Sequence, residues 1–267
     1  MIFLPHPRSL LVLLTALLFA CNTPSDKQTA EDASEEETSP AITLTKLTDS
    51  PAFSEASLSL SSSAVGDTGS YQMDFDITGY TLAEQTDPKP ATALANSGKG
   101  QHIHLIVDNN PYEAHYNSSV STMKLSAPGR HVVLAFLSRS YHESVKNMTE
   151  PSSYVLEQMH IGEGESEEVD FSAPHMFYSR PKGTYKGADT EHLLLDFFLV
   201  NTTLSADGNK VRATIEGEVF LLDEWAPYVI EGLPKGEITV QLELLDAEMN
   251  PIPGPYNQVT RTVMLEE

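Results

Sequence analysis

The chain has one cysteine among its 267 residues, only 16 lysines and arginines against 38 aspartates and glutamates, and no apolar run long enough to cross a bilayer. Each scarcity excludes something. With a single thiol no intrachain disulfide can form, so any folded part rests on its apolar core alone. A formal charge of −22 excludes nucleic acid as a partner, because neutralising phosphates requires clustered basic residues. The apolar run Leu10 to Ala20 is about half of the roughly 20 residues a spanning helix needs. Catalytic signatures are missing too: there is no G-x-S-x-G elbow, no H-E-x-x-H helix, no phosphate loop and no spare thiol for nucleophilic work.

What is present begins with a targeting segment. Arg8 precedes the short apolar run, which marks residues 1–20 as a signal peptide rather than a membrane helix. The junction Leu18-Phe19-Ala20-Cys21 resembles the lipobox of bacterial lipoproteins, a resemblance that implies cleavage before Cys21 and palmitate-type acylation there. Several acyl chains hold a protein firmly, where one holds it marginally. The following stretch, NTPSDKQTAEDASEEETSP, is acidic and nearly free of large apolar residues, so it cannot offset its ordering entropy. Residues 21–50 are therefore expected to form an acidic flexible linker, with a reach on the order of 30 Å.

Internal similarity organises the remainder. FSEASLSLS aligns with FSAPHMFYS, YQMDFDITGYTL with LLLDFFLVNTTL, HIHLIVDN with KVRATIEG, and LSAPGRHVVLAFL with LPKGEITVQLEL. Four blocks in one order, about 110 residues apart, indicate a duplicated domain. Each block alternates in the manner of a strand, and turn signals such as Asp108-Asn109, Glu216-Gly217 and Pro253-Gly254 separate the blocks. These features predict an all-β chain of two tandem immunoglobulin-like antiparallel β-sandwiches, over residues 51–165 and 166–267. Only the first copy carries the long loop from Ala83 to Gln101.

The first copy is also rich in histidine. If Ile103, Leu105 and Val107 face the core, His102 and His104 share the opposite face. Reading Val132, Leu134 and Phe136 as the inward set of the next block turns His131 outward as well. Were the two strands neighbours, these imidazoles would lie close enough to bind Cu(II) or Zn(II), with His142 or His115 completing the set. The plainer alternative is a polar outer face, since the second copy has Lys210 and Arg212 in place of His102 and His104. His160, His175 and His192 stand isolated. Tyr112, Trp225 and Tyr228 follow hairpins and are candidates for a ligand rim, or for turn packing.

The stretches GQHIHLIVDNNPY and GRHVVLAFLSRSYHESVK, together with GEVFLLDEWAPYVIEGLPKGEITVQLELLD and PGPYNQVTRTV, resemble uncharacterised extracytoplasmic lipoproteins of Bacteroidetes. That resemblance implies no assigned activity. The sequence thus predicts a non-enzymatic protein, lipid-anchored in the bacterial cell envelope at the outer membrane. Its two modules would bind or display an envelope protein, a glycan or a small ligand, without a cofactor. The alternative is a copper- or zinc-binding envelope protein using the histidines.

Overall fold

The computed structural model describes residues 41–65, 70–147, 152–163 and 168–267; the signal segment, Cys21 and the acidic stretch up to residue 40 lie outside them. Strand β1 (Thr43–Lys46) comes first. Strands β2 (Ser57–Val65), β3 (Tyr71–Thr78), β4 (His102–Val107), β5 (Glu113–His115), β6 (Ser119–Thr122), β7 (Gly129–Ser138) and β8 (Tyr154–Ile161) follow. The second half holds β9 (His175–Arg180), β10 (Gly183–Lys186), β11 (Leu193–Val200), β12 (Lys210–Ile215), β13 (Glu218–Leu222), β14 (Tyr228–Glu231), β15 (Gly236–Leu245) and β16 (Gln258–Glu266).

The sheet orders are β2-β3-β6 and β5-β4-β7-β8 in the first half, and β1-β14-β11-β9 and β10-β16-β15-β12-β13 in the second. Stripped of β1 and β10, the two halves have the same strand succession, and each block of the internal repeat falls on the same strand in both. Among the described residues every strand pairing is antiparallel except β10 with β16, with one isolated parallel bridge between Leu204 and Asn209. The protein is therefore all-β, built from two immunoglobulin-like sandwiches. Each has its own core: Ile103, Leu105, Val107, Val133, Ala135 and Leu137 among others in the first, and Val211, Ala213, Val240, Leu242, Leu195 and Phe197 among others in the second.

A third core lies between the sandwiches. Ile106, Val132, Leu134 and Phe136 on the outer side of the β4-β7 sheet pack against Phe177, Phe198 and Val200 on the outer side of β9 and β11. The rings of Phe136 and Phe198 stack with centroids 4.8 Å apart. Strands β4, β9 and β11 are consequently buried along both faces, whereas β12, with one face wet, alternates. Two-faced burial replaces alternation by a continuous apolar run.

Two expectations change here. In β7 the residues facing the first sandwich's own core are Val133, Ala135 and Leu137, while Val132, Leu134 and Phe136 face the neighbour; with both sets apolar, period two is visible but its sign is not. The linker expected to run to residue 50 includes β1, which pairs with β14 of the second sandwich. Ile42 and Leu44 pack on that sandwich's core, and Leu47 joins Tyr141, Leu194 and Val229 in a small cluster with Leu94. The long loop from Ala83 to Gln101 likewise crosses over, placing Ala95 against the second core.

Candidate functional site

Because β4 alternates, His102 and His104 emerge on the side away from Ile103 and Leu105, and that side is the seam between the sandwiches. Both are completely buried. The third histidine of the group, His142, sits in the 139–147 loop with φ +72. The loop is tied down along its length. Arg139 Nη1 donates to Glu143 at 2.9 Å, Val145 N donates to the Leu137 carbonyl at 2.8 Å, and Ser144 Oγ and Lys146 Nζ donate to the buried Asp196 of β11 at 3.0 and 2.5 Å. The second sandwich therefore holds the loop that carries His142.

The three imidazoles converge. His102 Nε2 lies 2.9 Å from His104 Nε2 and 3.0 Å from His142 Nδ1, and ligand nitrogens of all three lie within 4.8 Å of one another. His102 Nδ1 donates to the Gly100 carbonyl at 2.8 Å; a carbonyl only accepts, so that nitrogen carries the proton and Nε2 presents a lone pair. His104 Nδ1 lies 3.3 Å from Ser179 Oγ of the second sandwich. Tyr112 stacks on His104 with centroids 3.4 Å apart and brings its hydroxyl to 3.2 Å from His142 Nδ1.

Burial holds all three rings neutral. It is the largest influence on His102, whose pKa falls to about 4 despite the Gly100 carbonyl. Burial again leads for His104, helped by the neighbouring histidines, and for His142, helped by Arg180. Lys182 is itself brought down to about 8, by burial and then by Arg180; its Nζ lies over the Tyr112 ring, 3.8 Å from the centroid. The site therefore offers neutral imidazole nitrogens, uncharged and oriented, in a dry seam.

Of the histidines expected to cluster, the fold brings together His102, His104 and His142. It separates His131 and His115. His131 has the parity of Val133 and lies on the opposite face of the sheet, five residues along β7 from the level of His104, about 17 Å at strand rise. There it meets Asp108 Oδ2 at 2.6 Å and the Ala127 carbonyl at 3.0 Å. His115 pairs across the ladder with Ile103 and so also faces away from the group; its Nε2 is 3.6 Å from Glu113 Oε2.

The aromatic residues form no shared rim. Tyr112 lies under the histidines, Tyr228 belongs to the second core and donates to the Glu224 carbonyl at 3.0 Å, and Trp225 packs edge-on against Phe198 while donating to the Phe197 carbonyl at 2.9 Å. Sequence reasoning did not find Ser179, Arg180 and Lys182 as neighbours of the group. They belong to the other copy, and no local pattern signals a contact made across a seam.

The fold and the seam define a two-module immunoglobulin-like β-sandwich protein with a buried histidine group between its modules. No protein-family model matches the chain, and no curated protein matches it. Among solved structures it is similar to the fibronectin(III)-like modules of Clostridium thermocellum CbhA, with 11% identity, 78% of this chain and 94% of that chain covered, and a TM-score of 0.27. It is also similar to the two tandem V-type regions of the chitin-binding protein VCBP3, with 9% identity, 85% and 99% covered, and a TM-score of 0.22. Agreement at this level leaves the fold assignment resting on the strand order.

Proposed function

We propose that this chain is a lipid-anchored, non-enzymatic protein of the bacterial cell envelope, held at the outer membrane through Cys21, whose two sandwiches act as one binding and display unit. The observation that supports the binding and display part of this reading is an asymmetry between equivalent faces. In the first sandwich the outer side of the β5-β4-β7-β8 sheet is largely covered by the second. In the second sandwich the matching face is open: Thr239 and Thr262 are exposed, and along the edge strand β13 so are Val219 and Leu221, at 59% and 52%. Arg212 there, at the place of His104, forms an ion pair with Glu243 instead of being buried. Apolar side chains on an edge strand, rimmed by polar ones, suit a partner surface, and an envelope protein, a glycan or a small ligand would all meet it there.

The anchor is tested by metabolic labelling with an alkyne fatty acid. Wild-type protein should carry the label and remain with the outer-membrane fraction, and Cys21→Ala should lose both. Retained label in the variant would end the anchoring reading.

A further inference from the structure

We infer that His102, His104 and His142 form a metal site for Zn(II) or Cu(II) that fastens the two sandwiches together. His102 Nδ1–H is committed to the Gly100 carbonyl, so its Nε2 is an acceptor with one lone pair in the ring plane, and two other imidazole nitrogens lie 2.9 and 3.0 Å from it. If both neighbours donate, two N–H groups compete for one lone pair. If either does not, two lone pairs face each other at hydrogen-bond distance. No solvent separates these nitrogens, because the His102 ring is fully buried. A cation among the three nitrogens removes the conflict, because each lone pair then has a positive centre to meet.

The chemistry of the donors selects the ion. Ca(II) and Mg(II) require oxygen ligands, whereas neutral imidazoles suit Zn(II) and Cu(II). Metal–nitrogen bonds of about 2.1 Å cap any nitrogen–nitrogen separation at about 4.2 Å. Two of the three pairs already meet that cap, and the third, within 4.8 Å, needs to close by roughly 0.6 Å at most. With the loop backbone held by its hydrogen bonds, rotation of the His142 ring would close that gap. Second-sphere contacts are in place as metal sites need them: the Gly100 carbonyl orients His102, Ser179 Oγ meets His104 Nδ1, and Tyr112 supports the His104 ring.

All three ligands belong to the first sandwich, and two groups that hold them come from the second. Ser179 lies on β9, and Asp196 on β11 holds the His142 loop through Ser144 and Lys146. The complete site exists only when the sandwiches are docked, so bound metal stabilises the docked form by mass action. The inference does not rest on the anchoring and display reading: loss of the acyl label and loss of metal are separate measurements.

The test uses the full chain in detergent, stripped with chelator, loaded separately with Zn(II) and Cu(II), desalted and analysed for metal. The expected result is one ion per chain in at least one arm, with a raised unfolding temperature. Cu(II), if bound, should show nitrogen hyperfine structure in its electron paramagnetic resonance spectrum. His104→Asn should abolish retention, and His142→Ala, on the partly exposed loop, should weaken binding at least tenfold in chelator competition. His131→Ala and His115→Ala should bind as wild type does. Retention well below stoichiometric in both arms would overturn the inference, as would undiminished binding by the folded His142→Ala variant. Loss of binding in His131→Ala or His115→Ala alone would also overturn it.

Discussion

Individual histidines of one type do unlike things here because their surroundings differ. His104 is stripped of water and neutral; His131, at the far end of the same sheet, keeps a carboxylate. Burial by itself would lower the His131 pKa, but the hydrogen bonds that the ring donates to Asp108 and to the Ala127 carbonyl, with the Asp108 charge, outweigh it and the net shift is upward. A folded value above the unfolded one means that the imidazolium stabilises the fold below about pH 6.5, and that this contribution fades as pH rises through the raised value. Asp108→Asn keeps an oxygen able to accept from Val132 N, a bond of 2.9 Å in the wild type, but removes the charge. The His131 midpoint followed by NMR should therefore fall in the variant. The urea-stability gap between wild type and variant should shrink as pH rises. A wild-type midpoint at or below the ordinary histidine value would refute the pairing.

At the scale of elements, the duplicated β4-β5 and β12-β13 hairpins show one turn serving two ends. Asp108 and Asn109 have φ of 51 and 52, and Glu216 and Gly217 have 48 and 88; the β12-β13 loop is a two-residue turn with left-handed centres, and the five-residue β4-β5 loop opens with the same kind of turn, closed by Asn110 N donating to the Val107 carbonyl at 2.9 Å. In the first copy the second centre is asparagine rather than glycine. Its side chain is the docking group: Asn109 Oδ1 accepts from Tyr178 N at 2.9 Å and Nδ2 donates to the Tyr256 carbonyl at 3.2 Å. Asn109→Gly preserves the turn and leaves the buried Tyr178 N–H unpaired. It should cost about 1–3 kcal/mol, read as a lowered urea midpoint. An unchanged midpoint would show that water replaces the amide. The hairpin itself was legible in the Asp108-Asn109 signal, as were the strands in their alternation, whereas the docking role of Asn109 was not, because its partners lie roughly 70 to 150 residues away. For the same reason His142 is legible only as a loop residue, whereas the face of His131 is hidden because both alternate sets of β7 are apolar.

For the whole molecule, the sandwiches share a core, an N-terminal strand and a loop. The segment before the first sandwich ends in the second sandwich's sheet, and the long loop of the first copy reaches the second core. Two modules fastened at so many points should unfold together. Calorimetry should show one transition with matching calorimetric and van't Hoff enthalpies; two resolved transitions would contradict this. Phe198, wholly buried in the shared core, is the most direct probe. Phe198→Ala should cost about 3–5 kcal/mol in denaturant unfolding, and a loss within the ordinary surface range would mean that the seam contributes little.

From residue order alone follow the all-strand class, the duplication, the turn positions and the shared face of His102 and His104, since these depend on local periodicity and on comparison of one copy with the other. Tertiary structure decided which face of β7 is inward, that β1 belongs to the distant sandwich, and that His142 rather than His131 completes the histidine group. The physical reason is common to all three. Alternation states that two faces differ but not what covers each, and the cover here is a second sandwich whose approach is encoded only in surfaces brought together by folding.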